Sequence, residues 1–270
     1  MDKFKRSERV AAIFSILVEH PNQLFTYQAF EDRFAASKTT ISEDVAILRQ
    51  LVKRLDSGEI VTQSGAAGGV LFQPHLNRTE TENFLNRIGQ RIMEKERLIA
   101  GGFIYMTDLL NHPDTVFTIG KIFADRYADR QIDYVVTVET KGIPVALATA
   151  RILNVPMVTI RKNIKVTEGT KVNINYRSGS TGQIQTMSLS KRAIPAGAHV
   201  LLIDDFMRGG GTLRGMIEMV REFEAVVEGI GVLVATEEPD RKLVEDYYAM
   251  FKLISVDEQT GEVVVRPNVE

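Results

Sequence analysis

The sequence contains no cysteine, no tryptophan and no long uninterrupted apolar stretch. Without cysteine the protein has neither disulfides nor thiolate ligands for a metal. No apolar run approaches the roughly 18 residues of a membrane-spanning helix. The basic start Lys3–Arg6 is not followed by the apolar core of a signal peptide. These absences lead us to expect a cytoplasmic protein with no membrane partner.

The charge is also nearly balanced, with 33 basic and 35 acidic side chains and a formal net charge of −2. This balance gives no global sign of attraction to nucleic acid, although a local basic patch could exist within it. The four histidines are scattered without the spacing of metal ligands, so no structural metal site is expected. The 270 residues, 44% of them hydrophobic, suffice for one large or two ordinary domains.

The strongest local signal is the stretch VLLIDDFMRGGGT, from Val200 to Thr212. Its four apolar residues predict a buried strand that Asp204 and Asp205 close, and the apolar spacing from Thr212 to Phe223 predicts a helix. Glycines let the backbone approach a ligand, and the free N–H groups of a helix start attract phosphate. Ionised carboxylates only accept hydrogen bonds, so the aspartates favour hydroxyls or a metal ion. A ribose phosphate offers both kinds of partner.

Other glycine-rich motifs do not fit this stretch, since neither a P-loop nor the dinucleotide-binding G-x-G-x-x-G occurs. The glycines alone are equally compatible with a solvated turn. The whole stretch, however, resembles the phosphoribosyl-pyrophosphate (PRPP) motif of type I phosphoribosyltransferases. Within it, Phe206 is suited either to stack on a base or to fill the core. The resemblance implies that the PRPP-binding residues are Asp204, Asp205, Phe206, Met207, Arg208, Gly209, Gly210, Gly211 and Thr212.

The N-terminal part, residues 1–74, has the pattern of three helices followed by a β-hairpin. We predict a first helix capped by Ser7, a second at Tyr27–Phe34 after Thr26, a third that begins near Ser37–Thr40 with Thr40 and Glu43 at capping-box spacing, and strands around Ile60–Thr62 and Val70–Phe72. This is the arrangement of a winged helix-turn-helix domain, whose third helix enters the DNA major groove.

Several polar residues of this part are candidates for contact with DNA. Lys38, Thr39, Ser42 and Glu43 fall away from the apolar stripe of the third helix, as does Arg49, and Lys3, Lys5, Arg6 and Arg9 form a basic cluster at the first helix. The predicted DNA-binding residues are Lys5, Arg6, Lys38, Thr39, Thr40, Ser42 and Gly68. Residues 1–74 nevertheless hold nine basic against nine acidic side chains, a weak footprint for a nucleic-acid binder. A helical dimerisation or docking module without DNA is therefore the alternative.

The second predicted domain covers residues 75–270. Strand Ile132–Val138, helix Ile143–Leu153 and strand Pro156–Ile160 form a βαβ unit, and in such sheets ligands bind beyond the C-terminal strand ends. Residues 171–176 and 183–189 alternate and predict a long hairpin, which is equally suited to be a lid or an ordinary surface hairpin. Other predicted elements are helices near Thr79–Met93, Phe103–Leu110, Thr118–Tyr127 and Lys242–Met250, and strands at Ile230–Thr236, Leu253–Val256 and Val263–Arg266.

Two further strand-end segments resemble parts of the phosphoribosyltransferase site. The segment Glu139–Gly142 occupies the position of the pyrophosphate-binding loop, which implies that Thr140, Lys141 and Gly142 contact pyrophosphate. Arg161 and Lys162 resemble a basic pair with the same use in the purine members. Each of these cations alone would be an ordinary surface charge. Their shared position beyond strand ends makes a joint site, with Glu139, Thr140, Lys141, Gly142, Arg161 and Lys162 as its members.

The chain resembles, nearly end to end, the bacterial purine operon repressors of the phosphoribosyltransferase-like type. Besides the PRPP motif, the matching residues are Ser42–Asp44, Gly65–Val70, Thr140–Pro144 and Lys165–Gly169. The resemblance implies an α/β type I phosphoribosyltransferase fold, a parallel sheet flanked by helices, preceded by a winged helix-turn-helix domain. It further implies a homodimer that represses purine biosynthesis genes, binds double-stranded operator DNA, and senses PRPP with Mg²⁺ as effector. Purine nucleotides are implied as competitors of PRPP.

The main alternative is an active purine phosphoribosyltransferase with an N-terminal regulatory domain. Active members of that family usually carry a small residue or an acid at the position of Arg208, and a threonine at that of Gly209. Phosphate binding survives these changes because Gly209 keeps its N–H, whereas proton handling and placement of a base suffer. We therefore predict binding without turnover and no catalytic residues. A third reading is a PRPP-regulated protein-interaction module that does not bind DNA.

Overall fold

The computed structural model describes residues 4–65, 68–162, 169–177 and 183–269. The chain divides into two compact units, one of residues 1–78 with 151–154 and one of residues 79–150 with 155–270. Parts of the predicted features lie outside the described residues, namely Lys3, Ala66 and Ala67 of the wing, Lys165–Glu168, and the turn Ser178–Gly182. None of the described helices combines the length and apolarity that a membrane crossing requires.

The first unit consists of three helices and a small antiparallel sheet. Strands β2 and β3 form a hairpin, and β1 pairs with β3 to give the order β1-β3-β2. The apolar faces of the helices meet in one core that includes Ile13, Phe30 and Leu48. The elements are α1 (Arg6–Glu19), β1 (Phe25–Thr26), α2 (Tyr27–Phe34), α3 (Lys38–Leu55), β2 (Gly58–Gln63) and β3 (Gly69–Pro74). Three helices and a hairpin were predicted for this part of the chain.

The helix starts in this unit differ in part from the prediction. Helix α2 has its predicted bounds, and Thr26 caps it, since the Oγ1 of Thr26 accepts a hydrogen bond from the backbone N–H of Ala29 at 3.2 Å. The prediction that Ser7 caps α1 was wrong, because the helix begins at Arg6 after Lys5. The backbone N–H of Lys5 donates to Oε2 of Glu8 at 2.8 Å, so an acid of the first turn closes this helix end.

The predicted capping box of Thr40 and Glu43 was also wrong. Ser37 is the N-cap of α3, and its Oγ accepts a hydrogen bond from the backbone N–H of Thr40 at 3.3 Å. The helix therefore starts before Thr40. Glu43 instead forms an ion pair with Arg6 of α1 at 3.4 Å, which draws its side chain away from the helix end.

The second unit is built on a six-stranded sheet in the order β13-β12-β11-β10-β6-β7. All neighbours are parallel except the edge strand β13, which is antiparallel to β12. The strands of the unit are β4 (Leu98–Ile99), β5 (Phe103–Ile104), β6 (Tyr134–Val138), β7 (Met157–Ile160), β8 (Lys171–Arg177), β9 (Ile184–Ser190), β10 (His199–Met207), β11 (Val226–Thr236), β12 (Tyr248–Asp257) and β13 (Glu262–Pro267). The central strands are buried on both faces, as their continuous apolar runs predict.

Helices accompany this sheet along the chain. They are α4 (Arg78–Ile92), α5 (Thr107–Leu110), α6 (Pro113–Arg126), α7 (Gly142–Leu153) and α8 (Gly211–Glu222), with a 3₁₀ turn at Lys95–Arg97. The apolar face of α8, including Leu213, Met216 and Val220, packs in one core with residues of β6 and β10 such as Val136 and Val200. The predicted α/β architecture with a parallel sheet is thus present.

Three predicted elements of this unit were wrong in kind or extent. The helix expected at Phe103–Leu110 is a short strand followed by the single turn of α5. Helix α6 begins at Pro113 rather than Thr118, since proline is favoured in a first helical turn. The helix expected at Lys242–Met250 is absent: the segment is irregular until β12 begins at Tyr248. The last residues of that segment, from Tyr248 on, belong to β12 and pair with β11.

Candidate functional site

The two aspartates of the glycine-rich stretch lie on a strand that is paired differently on its two sides. Strand β10 pairs with β6 only from Val200 to Leu202, whereas its pairing with β11 continues to Met207. The sequence predicted that the two aspartates close the strand. They lie instead within β10, in the part of the strand that pairs with β11 alone. Beyond Leu202 the strands β10 and β6 no longer pair, and we call this part of the sheet edge, where parallel sheets bind ligands, the crevice.

Asp204, which is buried, and Asp205, which is half-buried, form an acidic pair in this crevice. Asp204 is only 4% exposed. Burial raises the pKa of Asp204 well above its ordinary value, and the charge of Asp205 adds to the rise. Burial also raises the pKa of Asp205, against the opposing positive charges of Lys141 and Lys162. The backbone N–H of Asp205 donates to Oδ1 of Asp204 at 3.0 Å. Two adjacent carboxylates, one buried and one half-buried, favour a ligand that brings hydroxyl donors or a divalent cation.

The glycines after the strand form the start of α8. Gly210, the N-cap, has a φ of 82°, in the left-handed region that favours glycine. A Cβ atom on Gly209 would meet no other atom within 4 Å, so the backbone there is open to a ligand. Helix α8 spans 12 residues and has no side-chain cap, so its first N–H groups are left for a ligand. This part of the chain thus combines two carboxylates with a helix start that can bind an anion.

The segment that follows β11 holds this glycine loop in place. The backbone N–H of Leu243 donates to the carbonyl oxygen of Gly209 at 2.9 Å. The hydroxyl oxygen of Thr236, at the end of β11, lies 3.3 Å from the carbonyl oxygen of Arg208 and 2.5 Å from that of Glu238. A Cβ atom on Gly210 would lie 3.3 Å from the backbone nitrogen of Val244. These contacts explain why residues 242–247 are not helical: their backbone is used to support the loop.

The segment Glu139–Gly142 reaches the same crevice from β6. A Cβ atom on Gly142 would lie 2.6 Å from Oγ1 of Thr137 and 3.4 Å from Oδ1 of Asp204. Gly142 begins α7, so the start of this helix is pressed against the acidic pair. Only a residue without a side chain fits there. The glycine therefore brings two segments far apart in sequence into one site.

Glu139 connects this segment to the end of the next strand, β7. Its Oε1 accepts a hydrogen bond from the backbone N–H of Lys162 at 2.6 Å, and its Oε2 accepts one from Arg161 at 3.2 Å. Glu139 thus supports Arg161 and Lys162 rather than pointing at a ligand. The positive charges of Lys141 and Lys162 both act on Asp205. The three strand-end segments predicted from the sequence therefore converge.

The structure separates the roles of the remaining motif residues. Met207 is buried in the core, and Phe206 is half-buried on the strand opposite Val234. The side chain of Arg208 is exposed. Sequence reasoning missed Tyr176 of β8, which packs against Gly215 of α8 and whose pKa is raised by burial and by the charge of Asp204. Only the alternation of residues 171–176 signalled that this tyrosine would face inward.

In the first unit the predicted DNA-contacting residues gather at the start of α3. Lys38, Thr39 and Ser42 are exposed, while Thr40 is half-buried and its hydroxyl is 2.9 Å from that of Ser37. Gly68 lies in the hairpin, where its N–H donates to the carbonyl oxygen of Gly65 at 3.0 Å. An exposed, polar helix start beside a hairpin is the surface that a winged helix offers to DNA.

Not every basic residue of that surface is available. Arg6 is exposed but pairs with Glu43 and, at 3.5 Å, with Asp44. Arg9 is buried and pairs with Asp44, so its place in a basic surface cluster was wrong. Arg49 turns to the hairpin, where it donates to the carbonyl oxygen of Ile60 at 3.3 Å and to the hydroxyl of Thr62 at 3.1 Å. It therefore fastens α3 to the wing.

Comparison with known proteins agrees with both units. Residues 5–74 match the family model of the bacterial purine repressor N-terminal domain, and residues 106–268 match that of the phosphoribosyl transferase domain. An adenine phosphoribosyltransferase from Thermoanaerobacter pseudethanolicus superposes with a TM-score of 0.54 at 20% identity, over 62% of this chain and 99% of that one. At that identity the likeness shows the fold, a type I phosphoribosyltransferase fold.

The full-length relatives are regulators. The chain is 44% identical over 264 residues to the purine biosynthesis transcriptional repressor PurR of Bacillus subtilis, covering 98% of this chain and 93% of the relative. It is 36% identical to the purine biosynthesis transcriptional activator PurR of Lactococcus lactis subsp. lactis, over 94% and 93% of the two chains. Xanthine phosphoribosyltransferase 1 of Clostridium botulinum is 30% identical but matches only 60% of this chain and 88% of its own.

Fold, site and comparisons together define a transcriptional regulator in which a DNA-binding domain precedes a phosphoribosyltransferase-like domain. The predicted fold class and the prediction of a regulator rather than an enzyme are both confirmed, because the relatives that match nearly the whole chain are regulators. The chain belongs to the PurR family of bacterial purine biosynthesis regulators.

Proposed function

We propose that this protein represses purine biosynthesis genes in the cytoplasm by binding their operator DNA, and that PRPP releases it. The observation that carries the proposal is the meeting of the acidic pair Asp204–Asp205 with the helix start at Gly210–Thr212 and the Gly142 segment. A ribose phosphate with a pyrophosphate group is a ligand that uses all three. The names of the B. subtilis and Streptococcus pneumoniae relatives support the purine pathway as the target.

In the proposed complex each part of PRPP has its own partners. The 5′-phosphate takes the backbone N–H groups from Arg208 to Thr212, because a helix start stabilises an anion. The ribose hydroxyls donate to Asp204 and Asp205. Pyrophosphate is held by Thr140, Lys141 and Gly142, with Arg161 and Lys162 adding positive charge. Glu139, Phe206 and Met207 support the residues that make these contacts.

The site suits Mg²⁺ as a companion of PRPP rather than as a resident ion. Among the described residues no group of three or more histidine, cysteine, aspartate or glutamate side chains is placed to hold a metal. The two aspartates can supply carboxylate oxygens to a Mg²⁺ ion that arrives with the pyrophosphate, since Mg²⁺ commonly combines one or two carboxylates with phosphate oxygens. The ion would add to the positive charges of Lys141 and Lys162 that already act on the acidic pair.

For DNA, we propose that the start of α3 enters the major groove. Lys38, Thr39, Thr40 and Ser42 then face bases and phosphates, Lys5 and Arg6 contact the backbone beside them, and the wing at Gly68 adds a further backbone contact. The acids Glu43 and Asp44 hold the Arg6 side chain at this end of α3. A homodimer would place two such helices on two half-sites of one operator.

In this proposal DNA is released because the binding of PRPP lowers the affinity for DNA. PRPP must bind more tightly to the conformation that does not bind DNA, and a coupling of roughly 1–3 kcal/mol would change DNA affinity about 5- to 150-fold. Purine nucleotides, which share the ribose phosphate, are proposed to compete for the same site without producing release.

Titration calorimetry with PRPP and Mg²⁺ tests the assigned pocket. The wild-type protein should bind PRPP, and Asp205→Asn should bind it at least about tenfold more weakly, because a bond to a charged partner is lost. Glu218→Gln, an exposed substitution elsewhere on α8, is the matched control and should bind as the wild type does. Equal binding by Asp205→Asn would place the ligand elsewhere, and steady-state transfer from PRPP to guanine, adenine or xanthine would refute the non-catalytic assignment.

A further inference from the structure

Glu139 follows the last residue of β6 and lies beside the end of β7. The two strands pair in parallel up to Val138 and Ile160, so the residues that come next, Glu139 and Arg161, are neighbours. The backbone N–H of Glu139 continues this pairing, since it donates to the carbonyl oxygen of Ile160 at 3.0 Å. The side chain of Glu139 is only 13% exposed, which is little for a charged group at a strand end. Its position is therefore fixed by the sheet.

The carboxylate of Glu139 makes two contacts with the residues that follow β7. Its Oε1 accepts a hydrogen bond from the backbone N–H of Lys162 at 2.6 Å, and its Oε2 accepts one from Nη1 of Arg161 at 3.2 Å. The first contact continues the strand pairing through a side chain, and the second restricts a long side chain that has many rotamers. One carboxylate thus places the backbone of Lys162 and the guanidinium of Arg161.

The backbone of Arg161 is held from its other side by β9. Its N–H donates to the carbonyl oxygen of Ser188 at 3.0 Å, and the N–H of Ser188 donates to the carbonyl oxygen of Arg161 at 2.8 Å. Ser188 is buried. The backbone of Arg161 is therefore fixed by the strands, and its guanidinium is the part that Glu139 positions.

A carboxylate beside a pyrophosphate site opposes that ligand through its charge, so its place there requires a compensating effect. Lys141, Arg161 and Lys162 bring three positive charges to two neighbouring strand ends, and like charges repel one another when no ligand is bound. Glu139 offsets this repulsion. A guanidinium also binds phosphate oxygens best in one direction, because its planar fork makes two parallel hydrogen bonds, and its five N–H donors allow it to bind a carboxylate as well.

We propose that Glu139 is a positioning residue for the pyrophosphate group of the effector. It holds Arg161 and Lys162 in the geometry that this group requires, although its own charge opposes the ligand. This inference rests on the proposed function, since it assumes that pyrophosphate binds beyond β6 and β7. Glu139 then contributes to affinity only for ligands that carry pyrophosphate, and it helps the protein to distinguish PRPP from ribose phosphates that lack this group.

Calorimetric titration of the full-length protein with Mg²⁺, at one salt concentration, tests this role with three probes: PRPP, inorganic pyrophosphate and ribose 5-phosphate. Glu139→Ala removes both contacts and should bind PRPP and pyrophosphate about tenfold more weakly, the effect of losing a charge-assisted hydrogen bond. It should bind ribose 5-phosphate as the wild type does. Glu139→Gln keeps an oxygen for the N–H of Lys162, so its affinity for pyrophosphate should lie between those of the wild type and of Glu139→Ala.

Glu228→Ala is the matched control. Glu228 is another half-buried glutamate of the same sheet, and its Oε1 lies 2.6 Å from Nδ1 of His199. It is placed near the start of β11, whereas the proposed site lies beyond the opposite ends of the parallel strands. The substitution should leave the affinities for all three probes unchanged, even where it lowers the melting temperature. This control separates a loss of stability from a loss at the site.

A double-mutant cycle tests whether Glu139 acts through Arg161. If it does, Glu139→Ala should cost less affinity for pyrophosphate in the Arg161→Met background than in the wild type. The inference is overturned if Glu139→Ala binds PRPP as tightly as the wild type or more tightly, if it weakens ribose 5-phosphate equally, or if its effect is the same in both backgrounds. A wild-type protein that binds none of the probes would instead refute the proposed function.

Discussion

Arg9 of α1 and Asp44 of α3 form a buried ion pair that joins the two helices. The carboxylate of Asp44 is fully buried, and the more exposed Arg6 approaches it from outside at 3.5 Å. The end of α3 assigned to DNA is therefore fixed to the body of its domain by charge as well as by apolar packing. Asp44 belongs to the segment Ser42–Asp44 that resembles the purine repressors, and its role is in the interior.

Replacing Arg9 by methionine should destabilise the N-terminal domain by about 3–5 kcal/mol, because the carboxylate of Asp44 loses its buried partner. Urea unfolding of the full-length protein, followed by a probe in this domain, measures the change. The double variant Arg9→Met/Asp44→Leu should regain most of the loss, since no buried charge is then left unpaired. A single-variant loss below about 1 kcal/mol, the range of an exposed pair, would contradict this role.

Gly142→Ala should weaken PRPP binding roughly tenfold or more, since an added methyl group overlaps Oγ1 of Thr137 and forces the segment away from Asp204. Calorimetry with PRPP and Mg²⁺ measures the loss. The double variant Gly142→Ala/Thr137→Ala removes the overlapping oxygen and should recover part of the affinity. No recovery would mean that the Gly142 effect does not arise from this contact.

The acidic pair should make stability depend on pH in an unusual direction. The pKa of Asp204 is raised by burial and by Asp205, so the folded protein holds a proton more tightly than the unfolded chain does. The stability that this proton contributes is present at low pH and is lost as the pH rises toward and through the raised pKa. Asp204→Asn should therefore be more stable than the wild type near neutral pH, with the difference shrinking in acid.

Denaturant titrations of both proteins across the acidic and neutral range measure that difference. The same substitution should abolish PRPP binding, and the affinity of the wild type for PRPP should fall as the pair becomes protonated. A variant less stable than the wild type at neutral pH would show that the pair is stabilising, contrary to its burial.

Lys38→Ala should weaken DNA binding for all sequences alike and lower the slope of log affinity against log salt by about one, because one phosphate contact is lost. Lys53→Ala, an exposed lysine in the last turn of the same helix, is the matched control and should leave the slope unchanged. Binding measured over a salt series separates the two. An equal effect of both substitutions would mean that α3 does not approach DNA with its first turn.

The sequence predicted those helices and strands whose formation depends on their own residues alone. The periodicity of α8 and the alternation in β8 and β9 depend on short-range patterns, and these elements formed close to the predicted bounds, while the apolar run Val200–Ile203 predicted the buried part of β10. The convergence of Asp204 with Gly142 followed from a general rule, that ligands bind beyond parallel strand ends.

What the sequence did not predict depends on distant partners. Residues 242–247 have spacing compatible with a helix, yet Leu243 bonds to Gly209, far away in the chain, and the segment is irregular. The strand β10 continues to Met207 because β11 pairs with it there. Tyr176 packs on the backbone of α8 because Gly215 leaves room for it. Such tertiary contacts override local propensity.

The most direct test of the central proposal is a titration of the full-length protein on DNA from upstream of purine biosynthesis genes, at one fixed salt concentration, with and without PRPP and Mg²⁺. We predict specific binding that PRPP weakens within the 5- to 150-fold range expected of about 1–3 kcal/mol of coupling. Specific binding that PRPP leaves unchanged, or the absence of specific binding, would contradict a PRPP-released repressor.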